Sequence, residues 1–168
     1  MDKINFLKNS YNKLPNRVEA HLILPKKGCS EEFMQNLKDI FPRLSNSYLQ
    51  FLKLYDGINL EWISFRGSPE KRKISIFYLI KMWKEDNNID LEKKGYCPIG
   101  EDAAGNLFCL DDSNQIIMFY IDNPDEPPKF IADSFESFMD ECVLGKRYPE
   151  MSIEGSPFHQ FLKEQGWA

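Results

Sequence analysis

Histidine is nearly absent from this sequence. His21 and His159 stand towards opposite ends of the 168 residues in dissimilar surroundings, and signal neither a histidine-based metal site nor a cysteine–histidine nucleophile pair. Cysteine is sparse as well: Cys29, Cys97, Cys109 and Cys142 are far apart, with no Cys-x-x-Cys pair. Together with the lack of any Asn-x-Ser/Thr acceptor, this usage fits a reducing compartment and predicts buried free thiols rather than disulfides. Neither Gly-x-Gly-x-x-Gly nor Gly-x-x-x-x-Gly-Lys-Ser/Thr occurs, so no nucleotide phosphate loop is signalled. No apolar run approaches the roughly 18 to 20 residues that cross a bilayer, and the opening Met1-Asp2-Lys3-Ile4-Asn5-Phe6 lacks a secretory hydrophobic region. These absences predict a cytoplasmic protein that binds no membrane and has no cofactor, no metal and no catalytic residues.

What is present suits one core. The composition is 42% hydrophobic with 13 Phe, 7 Tyr and 3 Trp, against 28% charged residues. A chain of this size hides roughly 70% of its unfolded surface, so residues 1–168 are expected to form a single domain. The net charge of -5 conceals a polarity: residues 1–100 hold 17 basic against 12 acidic side chains, whereas residues 101–150 hold 3 against 12. An acidic surface repels nucleic acid and steers basic proteins towards itself. The expected partner is therefore a protein and not a nucleic acid.

Apolar spacing marks the elements. Ile4, Leu7, Tyr11 and Leu14 predict a helix ending at Pro15. Residues 18–24 have no clean period and stay unassigned. Ser30 with Glu31 and Glu32 starts a helix carrying Phe33, Leu37, Ile40 and Phe41 inward, and Pro42 ends it. Ser45 caps the next, with Tyr48, Leu49, Phe51, Leu52 and Tyr55 on its apolar face and Gly57 as its C-terminal stop. Residues 58–65 read as one strand closed by Gly67-Ser68-Pro69, Lys71-Arg72-Lys73 as an exposed basic turn, and 77–83 as a helix. Residues 96–99, 106–111 and 116–121 read as a β-meander, Phe130-Ile131 as a further strand, Ser134 as the cap of a helix closed by Gly145, and Ser156-Pro157 as the start of a terminal helix.

Glu101, Asp102, Asp111, Asp112 and Asp122 invite a hard-cation reading, but they lack the ligand order of a calcium loop, and turn chemistry accounts for them more simply. Of Trp62, Phe65, Trp83 and Tyr96, about two are expected in the core, and any left exposed would be interface anchors.

Phe41-Pro42-Arg43-Leu44-Ser45-Asn46-Ser47-Tyr48-Leu49-Gln50-Phe51-Leu52, ending at Asp56-Gly57, resembles the proline, tyrosine, phenylalanine and glycine signature of the SUKH superfamily, with Phe41 where leucine is more usual. Residues 97–111 and 131–139 resemble the middle and closing motifs, so the likeness spans about residues 30–144 and leaves an N-terminal helix within 1–25 and a helical tail over 146–168 as extensions. The resemblance implies an α+β fold, an antiparallel or mixed sheet flanked by helices, with no catalytic residue to carry over. It implies a protein-binding role: an immunity protein neutralising a polymorphic or contact-dependent toxin, for which a basic, nuclease-like toxin domain would be the partner, or a regulator of cell-wall synthesis. The acidic segment favours the first. Glu101, Asp102, Asp111 and Asp112, projecting from clustered meander turns beside Trp62 and Phe65, form the expected partner surface.

Overall fold

In the computed structural model, which describes residues 2–25, 27–69 and 74–168, seven strands run through one antiparallel sheet in the order in which they occur in the chain. They are β1 (Leu22–Ile23), β2 (Ile58–Leu60), β3 (Ile63–Phe65), β4 (Cys97–Glu101), β5 (Leu107–Leu110), β6 (Ile116–Phe119) and β7 (Lys129–Ala132). Around them lie α1 (Asp2–Ser10), α2 (Asn16–Glu19), α3 (Glu31–Ile40), α4 (Asn46–Leu54), α5 (Ile76–Asp86), α6 (Leu91–Lys94), α7 (Phe135–Ser137), α8 (Tyr148–Met151) and α9 (Pro157–Glu164). A π-helical segment, Phe138–Val143, continues α7. The class is α+β and the sheet is wholly antiparallel.

Serine hydroxyls start α3, α4, α5 and α9. Ser30, Ser45, Ser75 and Ser156 each accept from the N–H three residues on, satisfying a donor that the helix itself leaves open. Side-chain alternation along the strands then divides the interior in two. Phe108, Leu110, Ile116 and Met118 face the larger core, which includes Ile4, Phe33, Tyr48, Phe51, Phe135 and Phe158. Leu107, Cys109, Ile117 and Phe119 face the other way, onto Leu79 and Trp83 of α5 and Leu91 of α6. In the larger core the Phe51 ring lies 5.4, 5.5 and 5.1 Å from those of Tyr55, Phe65 and Phe135.

All four cysteines are buried and none is in a disulfide, and the Cys29 thiol donates to Asp56 Oδ1 at 3.2 Å. Burial raises Cys142 to about 11 and pushes Cys97 and Cys109 up further, so these three stay protonated and inert.

The extensions are part of the globule. Lys3 Nζ donates to the carbonyls of Asp140 and Leu144, both at 2.8 Å, and sits 5.7 Å from the Trp167 ring. Phe6 meets Trp167 edge-on at 5.5 Å. Each extension also supplies a donor to a terminal strand of the sheet: Tyr11 Oη bonds the carbonyl of Leu22 at 3.1 Å, and Arg147 Nη1 that of Ile131 at 3.0 Å. Main-chain carbonyls left open on a sheet edge would template another strand, so both contacts oppose edge-to-edge association.

Several expectations need correction. Residues 58–65 are not one strand but the hairpin β2–β3, with Leu60 opposite Ile63 and Glu61-Trp62 as the loop. Gly57 does not stop α4, which ends at Leu54 with Tyr55 as its C-cap. It enters β2 at φ 72°, where a Cβ would lie 2.7 Å from the Phe65 carbonyl oxygen. Residues 18–24 hold the end of α2 and the edge strand β1, and α6 and α8 are short additions. The basic turn at Lys71-Arg72-Lys73 lies outside the described residues.

Candidate functional site

Successive turns of an antiparallel meander fall at opposite ends of the sheet. This separates the four acidic residues expected together. Glu101 and Asp102 enter the β4–β5 turn, while Asp111 and Asp112 belong to the β5–β6 turn at the far end. The four residues of β5, at about 3.4 Å each, keep the two turns more than about 10 Å apart, beyond the Debye length of about 8 Å. Their fields do not sum as one cluster.

The carboxylates also differ in what they do locally. Glu101 accepts from Arg66 Nε at 2.8 Å, and the pair is largely hidden, so its charge is neutralised. Asp102 Oδ1 accepts from the N–H groups of Ala104 and Asn106, both at 2.9 Å, and Oδ2 from Asn106 Nδ2 at 2.7 Å. Asp111 repeats the pattern with the N–H groups of Ser113 at 2.8 Å and Gln115 at 2.9 Å. Both aspartates therefore build their turns. Asp112 is exposed and lies 3.9 Å from Arg43.

The aromatic residues divide as the alternation of the hairpin requires. Phe65 is fully buried against Phe51, Phe135 and Phe138, and cannot form part of a partner surface. Trp83 is fully buried, and Tyr96 is half-buried at 5.6 Å from the Phe119 ring. Trp62 is 41% exposed. With Ser64 opposite Glu101 in the β3–β4 ladder, continuing the register sets Trp62 level with the Asp102–Ala103 turn.

That end of the sheet carries further acid beyond the four residues expected at the site. The loop from Tyr120 to Pro128 leaves β6 beside the β4–β5 turn, where the Ile121 N–H donates to Asn106 Oδ1 at 3.2 Å. Asp122, Asp125 and Glu126 of this loop are exposed. A cleft of about 350 Å³ opens between Asp125, Glu126 and Pro127 on one side and Tyr96 and Phe119 on the other, with Lys94 at its margin. Phe130, the second residue of β7, is 51% exposed. The arrangement is an acidic rim with exposed aromatics at separate points along it, suited to a cationic protein surface. The run Asp122-Asn123-Pro124-Asp125-Glu126 was the signal available in the sequence; its position beside Asp102 depends on strand pairing.

Among the described residues, no group of three or more His, Cys, Asp or Glu is placed to hold a metal, and no helix is long and apolar enough to cross a membrane.

The model of the SMI1 / KNR4 family (SUKH-1) matches residues 28–141. The matched part takes in the hairpin, the meander and the acidic loop, and leaves out α1, α2, α8 and α9. No curated protein matches the chain.

Proposed function

The chain belongs to the SMI1 / KNR4 family (SUKH-1), and we propose that it is a non-enzymatic immunity protein that binds and neutralises a basic toxin domain. The family comprises immunity proteins and cell-wall regulators, both of which act by binding other proteins. The observation that carries the choice between them is the acidic end of the sheet, where exposed Asp122, Asp125 and Glu126 adjoin one side of the Asp102 turn and the exposed Trp62 stands on its other side. A toxin that acts on nucleic acid needs a basic surface, and an inhibitor of opposite charge gains association rate and specificity against it. Exposed aromatics supply the desolvated contact that charge by itself does not. The partner surface on this reading is Trp62, Asp102 and the loop 120–128; Phe65, Asp111 and Asp112 are not part of it.

The test is protection. The C-terminal domain of a large secreted toxin encoded beside the gene is expressed with and without this chain, and survival is measured. Rescue supports the immunity reading. Recovery of cell-wall synthesis proteins in a pull-down, with no rescue, would replace it by the regulatory one.

A further inference from the structure

The β2–β3 hairpin turns on a residue whose backbone conformation favours glycine. Glu61 has φ 55°, in the left-handed region, and occupies the first position of a two-residue loop. Its carboxylate is held from three directions. Oε2 accepts from the Tyr148 hydroxyl at 2.7 Å and the Ser156 hydroxyl at 2.6 Å, and Oε1 from the Phe158 N–H at 3.3 Å. Its own N–H donates to the His21 carbonyl at 2.9 Å. The three donors to the carboxylate belong to residues 148–158, beyond residue 141 where the family match ends. Tyr148, Ser156 and Phe158 are buried, so the anchor is part of the packed interior. The residue after Glu61 is Trp62, the exposed indole of this end of the sheet.

We propose that Glu61 is a positioning residue through which the C-terminal segment fixes how Trp62 is presented to a protein partner. The proposal rests on the reading of Trp62 as a partner contact. Backbone conformations of this kind persist only where the surroundings over-determine them, and several hydrogen bonds converging on one side chain are a strong form of over-determination. An indole held on a braced hairpin loses less freedom on binding than one on a loose loop, so the brace raises affinity without touching the partner. Level with the Asp102 turn, the indole face suits an arginine or lysine side chain of a basic partner. The segment beyond the matched part thus acts on the contact surface from behind.

Two variants and two readouts decide it. Glu61→Gly removes the carboxylate while suiting the backbone conformation; Tyr148→Phe removes one donor and leaves the hairpin chemically intact. Amide hydrogen exchange in the free protein is expected to quicken about tenfold or more at Glu61–Ile63 in both variants, with β5 and β6 unchanged. Unchanged exchange at Glu61–Ile63 in Glu61→Gly overturns the proposal, as does equal quickening throughout the sheet. In parallel, binding to the toxin domain encoded beside the gene is measured for Trp62→Ala and Glu61→Gly. Weakened binding in both supports the proposal. Weak binding by Trp62→Ala with unaltered binding by Glu61→Gly overturns the brace alone, whereas unaltered binding by Trp62→Ala overturns the contact reading beneath it.

Discussion

Arg66 and Glu101 close an ion pair across β3 and β4 in which the two side chains are only 15% and 12% exposed. Within so little solvent each charge depends on the other, because removing one partner leaves the second desolvated and uncompensated. Glu101→Gln is therefore expected to lower stability by about 2 to 4 kcal/mol in chemical denaturation. Arg66→Met combined with Glu101→Leu should recover a large part of that loss. A single variant as stable as the parent would show that the pair is solvated and that Glu101 remains available to a partner.

The exposed acid makes a prediction about rate. Reversing Asp122 and Asp125 to Lys is expected to slow association with the toxin domain encoded beside the gene about tenfold at low salt and to flatten its salt dependence. Reversing Asp112 and Asp133, exposed towards the other end of the sheet, changes the net charge equally and should alter the rate far less. Stopped-flow measurements in low and high salt separate the two. Equal slowing by both pairs would mean that net charge, not a local surface, does the steering.

The contrast between these two acidic ends also marks how far the sequence is legible. Hydroxyl caps at Ser30, Ser45 and Ser156, the three strands of the meander and the buried cysteines could be read directly, because each follows from a local pattern of capping, alternation or usage. The hairpin at Glu61-Trp62 was hidden in what looked like one strand. Its trace is a change of phase: Ile58 and Leu60 are inward, and so are Ile63 and Phe65, which a single strand of period two cannot arrange. That slip also moved Phe65 from the expected surface into the core. The Asp102 and Asp111 turns were correctly placed in the chain but not in space, since a sequence gives the turns of a meander without stating that they alternate between its ends.

Tyr48 offers a test of the core. It is fully buried, and its hydroxyl has no hydrogen-bond partner among the described residues. Burial first, and then the neighbouring Cys97, Cys29 and Cys109, pushes its ionisation well above the ordinary tyrosine value. A buried hydroxyl without a partner costs about 1 to 3 kcal/mol in desolvation, so Tyr48→Phe is expected to be neutral or to stabilise by about 1 kcal/mol. Tyr48→Ala should cost about 3 to 5 kcal/mol through the lost ring, which packs 5.1 Å from Phe135. Denaturant midpoints for the two variants check both numbers, and a clear loss on Tyr48→Phe would mean the hydroxyl is satisfied.

His159 ties the C-terminal helix to pH. Only 2% exposed, it accepts a hydrogen bond at Nδ1 from the Gly155 N–H at 2.9 Å, which requires that nitrogen to be unprotonated. Burial, followed by the nearby Lys163, lowers its ionisation below the ordinary 6.5, against opposing contributions from Glu154 and Glu61. The sign follows. Below the unfolded value the unfolded chain takes up a proton that the folded chain resists, so the stability held by neutral His159 is complete above about pH 7 and declines as pH falls through 6.5 towards the lower folded value. Protonation also removes the acceptor for Gly155 and so loosens the start of α9, where Ser156 and Phe158 hold Glu61. His159→Asn keeps an acceptor without a titration in this range. The thermal midpoint of the parent is expected to drop between pH 7.5 and 5.5 by more than that of His159→Asn, with the protection factor of the Gly155 amide, the intrinsic exchange rate at each pH divided by the observed one, falling over the same interval only in the parent. Parallel midpoints for the two proteins across that range would show that His159 does not couple protonation to the docking of the tail.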